Sequence, residues 1–68
     1  MGDSEPRLTA RELKVLKEIA TGKTLADVAK SVNLGFETVR AIAAKLRKKL
    51  NAHSKVELAT WAIRNIKT

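Results

Sequence analysis

Cationic side chains dominate the segment between Thr38 and Val56, which contains no acidic residue. Ammonium and guanidinium groups donate charge-assisted hydrogen bonds to phosphate oxygens, so their chemistry here is that of polyanion binding. The alternative interpretation is that these cations lie on a helix face that is exposed to solvent and binds nothing. Such a face, however, normally carries both signs of charge. The cations of the segment are Arg40, Lys45, Arg47, Lys48, Lys49 and Lys55.

The composition of the whole chain favours the same kind of partner. Its 68 residues include 14 lysines and arginines against 7 aspartates and glutamates, which gives a formal net charge of +7. Such a surplus favours a nucleic acid as partner, with an anionic membrane surface as second choice. The chain contains no cysteine, which excludes a disulfide framework and a thiolate metal site.

The apolar residues of the cationic segment recur at the spacing of one helix face. Val39, Ala43, Leu46 and Leu50 follow one another every three or four residues. Small side chains on the opposite face would let the backbone approach base edges, while the cations reach phosphates. The segment therefore predicts a helix that enters the major groove of DNA. The residues predicted to face away from the core are Glu37, Ala41, Ala44, Lys45 and Lys48, with Arg40 and Arg47 on one flank.

Catalytic and metal-binding patterns are absent from the sequence. His53 is the only histidine, and its neighbour Ser54 is better explained as a helix cap. The sequence offers no carboxylate pair at general acid–base spacing and no glycine-rich phosphate loop. We therefore expect neither an enzyme nor a bound metal or cofactor.

Hydropathy and the N-terminal residues indicate the compartment. No apolar run is long enough to span a membrane, and the N-terminus lacks the apolar core of a signal peptide. The apolar side of the cationic helix is needed for a core, which disfavours a role on a membrane surface. We expect the chain to stay in the cytoplasm.

Capping patterns and turn residues divide the chain into helices. Residues 1–7 show no periodicity and are predicted to be a disordered tail. A capping box at Thr9 begins a first helix that Gly22 ends, and Thr24 begins a second, shorter one. Residues 33–35 predict a tight turn before the cationic helix at about 36–50, and residues 54–57 form another capping box before a last helix. The expected fold is a compact, all-α domain of four helices.

Several motifs together resemble the LuxR-type helix-turn-helix domain, also called the GerE or NarL type. The resemblance extends from Leu8 to about Asn65 without a gap in spacing and identifies residues 8–68 as one such domain. It implies a four-helix, DNA-binding domain of a transcriptional regulator, which inserts its third helix into DNA and dimerises mainly through its fourth. The motifs are Leu8-Thr9-x-Arg11-Glu12, Gly22-Lys23-Thr24, Asp27-Val28-Ala29, Thr38-Val39-Arg40, Lys49-Leu50-Asn51-Ala52 and Ser54-Lys55-Val56-Glu57-Leu58.

The resemblance also implies roles for single residues. Arg40 would contact a guanine edge or a flanking phosphate, and Ala41 and Ala44 would face the bases. The residues that would contact the phosphate backbone are Lys23, Thr24, Thr38, Lys49 and Lys55.

Some positions depart from the family pattern. Ile42 replaces the usual histidine, Ala26 stands where a lysine is common, and Gly35 replaces a serine cap. Sequence-specific hydrogen bonds would therefore rest on Arg40, with Lys45 as a further candidate. Glu37 has two interpretations, because it would stabilise the helix dipole but could also accept from a cytosine amino group.

The last helix has more apolar residues than one core-facing stripe needs. We expect Val56, Ala59, Ile63 and Ile66 to face the core, which would leave a second apolar face for a homodimer on a two-fold symmetric DNA site. That face would consist of Leu58, Trp61 and Ala62. The alternative is that Trp61 covers the core near Leu8.

Other functions remain open at this point. A basic helical module could dock on an acidic protein or on the transcription machinery, RNA polymerase included, without reading DNA. The sequence does not distinguish a stand-alone regulator from an excised C-terminal domain.

Overall fold

Helices form about three quarters of the part of the chain that the computed structural model describes, which is residues 7–66. The helices are α1 (Ala10–Ala20), α2 (Leu25–Val32), α3 (Phe36–Lys49) and α4 (Lys55–Asn65), and no strand occurs between residues 7 and 66. The predicted all-α, four-helix fold is confirmed. Most of the tail that was predicted to be disordered lies outside the described residues.

Side-chain caps begin three of the four helices. The Thr9 hydroxyl accepts from the Glu12 N–H, and a Glu12 carboxylate oxygen accepts from the Thr9 N–H, both at 3.0 Å. Thr24 caps α2 in the same way, by accepting from the N–H of Asp27 at 3.1 Å. Each such cap stabilises a helix by about 1 kcal/mol.

The capping box predicted for α4 is only half formed. The Ser54 hydroxyl accepts from the Glu57 N–H at 3.2 Å, as predicted. The Glu57 carboxylate, however, accepts from the N–H of His53 at 2.9 Å, one residue before the cap. It therefore fastens the α3–α4 loop to α4, and the Ser54 hydroxyl alone caps the helix.

The turn between α2 and α3 relies on one left-handed residue. Asn33 has φ 58°, and the next N–H, that of Leu34, donates to the carbonyl of Ala29 at 3.0 Å. This hydrogen bond is typical of a helix that ends in a left-handed residue. Gly35 is extended, with φ −69°, and stands at the N-cap of α3 without a side chain to cap it.

The core lies between α1 and the other three helices. α1 packs against α2, α3 and α4, and α2 packs against α3. The predicted stripe of α3 is buried, and Ile42 joins it with only 8% of its surface exposed. The side chains without solvent contact are Val15, Leu16, Ile19, Val28, Val39, Leu46 and Leu58.

The prediction for the two faces of α4 is wrong for four residues, whereas Ala59 and Ile66 are half-buried and pack against the core as predicted. Val56 and Ile63, which were assigned to the core, are 74% and 71% exposed. Leu58 and Ala62, which were assigned to a dimer interface, are 0% and 3% exposed. Both faces of α4 are apolar, so periodicity could not decide which one would pack on α1. Trp61 is half-buried and packs against the core.

Candidate nucleic-acid interface

One side of α3 packs into the core, and the other presents an uninterrupted polar and small-residue surface to solvent. Burial of Val39, Ile42 and Leu46 fixes the rotation of α3 about its axis. The outward residues that were predicted to contact DNA are all exposed except Ala44, which is half-buried. We call these residues the α3 outer face; they are Glu37, Thr38, Arg40, Ala41, Ala44, Lys45 and Lys48.

The cations on and beside the α3 outer face make no hydrogen bond or ion pair with residues 7–66, although the hydrogen bond from Lys49 and, to a smaller extent, the charge of Lys45 lower the pKa of Glu12. Arg40, Lys45 and Lys48 are exposed, and none of them makes a hydrogen bond or an ion pair within that range. The same holds for Arg47 and for Lys55 at the start of α4. Their charges are therefore available to an external anion.

Lys49 behaves differently from these cations, because its ammonium is already bonded. Its Nζ donates to a Glu12 carboxylate oxygen at 2.7 Å and to the backbone carbonyl of Arg7 at 3.3 Å. Glu12 is only 5% exposed, and the hydrogen bond from Lys49, with that from Thr9 N–H, lowers the pKa of its carboxyl. Lys49 thus neutralises a buried carboxylate and ties the end of α3 to the start of α1.

The start of α2 is similarly engaged within the protein. The ammonium of Lys23 forms an ion pair with Glu18 and donates to the hydroxyl of Ser31 at 2.9 Å. The hydrogen bond from Lys23 lowers the pKa of the Glu18 carboxyl. The hydroxyl of Thr24 accepts the capping hydrogen bond of α2. A phosphate at this position would compete with Glu18 for the ammonium of Lys23, whereas the hydroxyl of Thr24 keeps its own proton to donate.

Two of the expected departures from the family pattern now have a structural explanation. Ile42, which replaces the usual histidine, is part of the core, so its aliphatic side chain adds packing. Gly35 leaves α3 without a side-chain cap, as its replacement of a serine implied. Glu37 lies in the first turn of α3 and is exposed, where it favours the helix dipole.

Sequence reasoning missed a cleft at the C-terminal end of α3. Arg47 was named among the cations of the segment but was given no contact, and His53 was considered only as a catalytic residue. Neither has a distinctive spacing, because one lies on a helix flank and the other in a loop. The signal that could have placed Arg47 there is its position three residues after Ala44 on the same helix side. The cleft is lined by Ala44, Arg47, Lys48, Asn51, Ala52 and His53.

Residues 7–66 contain neither a cluster of metal ligands nor a membrane-spanning helix. No three histidine, cysteine, aspartate or glutamate side chains cluster there in a way that could hold a metal ion. None of the helices in that range is long and apolar enough to cross a membrane.

Relatives of known type match most of the chain. The chain is 39% identical over 61 residues to YgeK of Escherichia coli, an uncharacterised response regulatory protein. The matched residues are 90% of this chain and 42% of YgeK. The chain is 45% identical over 58 residues to BvgA of Bordetella pertussis, a putative positive transcription regulator of virulence factors. The matched residues are 85% of this chain and 28% of BvgA. The chain is 38% identical over 58 residues to RamA of Corynebacterium glutamicum, an HTH-type transcriptional activator. The matched residues are 85% of this chain and 21% of RamA. The chain thus spans less than half the length of these curated relatives.

A family model also matches the chain directly. The model is GerE, described as bacterial regulatory proteins of the luxR family, and it matches residues 6–62. This match covers all of α1, α2 and α3 and most of α4. The helix-turn-helix of α2 and α3 lies wholly within it, and the resemblance inferred from the sequence motifs is confirmed. The chain belongs to the luxR family of bacterial regulatory proteins, a family of DNA-binding transcription regulators.

Proposed function

We propose that this domain regulates bacterial or phage transcription by placing the α3 outer face in the major groove of duplex DNA. The observation that carries the proposal is the division of α3 into a buried apolar side and an outer side whose cations make no hydrogen bond or ion pair with residues 7–66. A helix of this kind fits the major groove, which is about 12 Å wide. The membership in a family of regulators supports the same function.

Base contact is proposed for the middle of the α3 outer face. Arg40 is exposed and long enough to donate to the O6 and N7 atoms of a guanine. Ala41 and Ala44 present methyl groups, which let the backbone come close and can contact a thymine methyl. Specificity in this arrangement depends on few polar groups, with Arg40 foremost.

Phosphate contact is proposed for the cations without a bonded partner in the described part of the chain. Lys45, Lys48 and Lys55 make no hydrogen bond or ion pair with residues 7–66, and the family resemblance assigned Lys55 to a phosphate. Thr38 is exposed in the first turn of α3, and its hydroxyl can donate to a phosphate oxygen. Lys23 and Lys49 are given structural roles instead, because their ammonium groups already bind Glu18 and Glu12.

A homodimer on DNA is proposed through the exposed face of α4. Val56 and Ile63 are large apolar side chains that remain more than two-thirds exposed. They lie seven residues apart, which puts them on the same side of the helix. A face this small buries less than the roughly 1,200 Å² of a stable interface, so we expect the dimer to form only when DNA brings two copies together.

The salt dependence of binding tests the DNA-binding function. Neutralising about five phosphates per domain gives a slope of log affinity against log salt of about −4 to −5. We expect this slope when a labelled duplex is titrated with the domain at increasing salt and binding is followed by fluorescence anisotropy. Affinity that hardly changes with salt would contradict the proposal. It would instead favour the alternative module, which docks on an acidic protein.

A further inference from the structure

The cleft at the C-terminal end of α3 has the form of an anion-binding site. Its volume is about 500 Å³, and its lining residues come from both α3 and the α3–α4 loop. Ala44 and Ala52 contribute only methyl groups, which leaves room between the longer side chains. Arg47 and Lys48 supply hydrogen-bond donors, and His53 adds a polar side chain from the loop.

Backbone hydrogen bonds hold the loop side of the cleft in place. The N–H of Ala52 donates to the carbonyl of Arg47 at 2.9 Å, and Asn51 adopts the left-handed conformation with φ 55°. The N–H of His53 donates to the Glu57 carboxylate at 2.9 Å. The loop is therefore fastened to both helices, so that a ligand would bind to a largely preformed cleft.

The charge around the cleft is not balanced by the residues that line it. Arg47 and Lys48 make no ion pair with residues 7–66, whereas Lys49, next to them in sequence, is paired with Glu12. No acidic side chain lines the cleft. The Glu57 carboxylate accepts from the N–H of His53 and lines a neighbouring groove, which shares Asn51 and Ala52 with the cleft.

The position of the cleft along α3 indicates which anion it meets. Lys48 lies eight residues after Arg40, which corresponds to about 12 Å along the helix axis. A helix-turn-helix contacts base edges with the N-terminal residues of its second helix, so a backbone phosphate is the anion within reach of a group that far along α3.

We propose that this cleft binds a phosphodiester of the DNA backbone through Arg47 and Lys48, with His53 closing its rim. The proposal rests on the DNA-binding function proposed above and adds Arg47 and His53 to the interface. The guanidinium of Arg47 can donate two parallel hydrogen bonds to phosphate oxygens, and the ammonium of Lys48 adds a point charge.

A matched pair of double variants tests this site. Arg47→Gln with Lys48→Gln removes the two cations of the cleft, whereas Lys14→Gln with Lys17→Gln removes the same charge from exposed positions on α1. Binding to a short, labelled, random-sequence duplex is measured across a salt series by fluorescence anisotropy. Circular dichroism melts confirm that both variants are folded.

The slope of log affinity against log salt should fall by about 1.8 for the cleft variant, since each lost phosphate contact contributes about 0.9. The α1 variant should keep the wild-type slope to within about half a unit. Equal slopes for the two variants would overturn the cleft while leaving DNA binding by the wild-type domain intact. A wild-type domain that does not bind duplex DNA would overturn both proposals.

Discussion

At the scale of single residues, the lysines of this domain differ by their partners more than by their position in the sequence. Lys48 and Lys49 are neighbours at the end of α3, yet only Lys49 is bonded within the described part of the chain. A lysine that neutralises a buried carboxylate contributes to folding, and one without a partner can contribute to anion binding.

Removing Lys49 should destabilise the fold and leave the salt dependence of DNA binding almost unchanged. In Lys49→Ala the carboxylate of Glu12, which is 5% exposed, loses its cation, which should cost about 1–3 kcal/mol in the free energy of unfolding. Lys48→Ala is the matched control and should change stability by less than about 0.5 kcal/mol. Urea unfolding of both variants measures the difference, and equal stabilities would contradict the structural role of Lys49.

The same ion pair should make stability depend on pH in the acidic range. The pKa of Glu12 is lowered in the folded domain from its ordinary value of 4.5, so its contribution is fully present above that value. The contribution is lost as the pH falls through the lowered pKa. The difference in stability between wild type and Lys49→Ala should therefore be constant near neutral pH and shrink below about pH 4.5.

Arg40 provides a separate test of base contact. Arg40→Ala should weaken binding to a preferred site by about 1–3 kcal/mol and reduce discrimination at one base pair. Lys45→Ala, on the same helix, should weaken all sequences alike. Selection of binding sites from random duplexes with each variant measures both effects. Unchanged affinity and unchanged preference for Arg40→Ala would mean that another part of α3 meets the bases.

At the scale of helices and turns, the sequence predicted those features that depend only on residues close together in the chain. The caps at Thr9, Thr24 and Ser54 and the left-handed residues at Gly22 and Asn33 are local signals, and the structure has all of them. The ion pair of Glu12 with Lys49 joins residues 37 positions apart, so no local pattern indicates it. The orientation of α4 was also unpredictable, since both of its faces are apolar and only its packing on α1 selects one.

The uncapped start of α3 offers a prediction at this scale. Gly35 is extended, and a Cβ added there would have only the Thr38 hydroxyl nearby, at 4.0 Å. Gly35→Ser should therefore stabilise the domain by about 0.5–1 kcal/mol, by capping α3 and by restricting the unfolded chain. Gly22→Ser is the contrasting control, because φ +90° at Gly22 makes a side chain costly. Thermal melts that show Gly35→Ser to be less stable than wild type would refute this account of the turn.

At the scale of the whole molecule, the apolar side chains that remain outside the core are concentrated on few surfaces. Val56 and Ile63 lie on the outer side of α4, and Phe36 lies at the start of α3, 46% exposed. Single exposed apolar residues are ordinary, but two on one side of a helix form a surface that a second copy can cover. The exposed α4 face is therefore where an assembly of two domains should be tested.

Ile63→Asp should prevent the contact between two domains without unfolding either of them. Because Ile63 is 71% exposed, the variant should melt close to wild type, while a buried charge would prevent two copies from meeting through α4. On a two-fold symmetric duplex, analytical ultracentrifugation should find two wild-type domains bound cooperatively and Ile63→Asp domains bound independently. Leu58→Ala is the control for the face that was first assigned to the dimer, and it should cost about 2–5 kcal/mol in stability because Leu58 is fully buried. Cooperative binding by a folded Ile63→Asp variant would exclude this face of α4 as the contact between two copies.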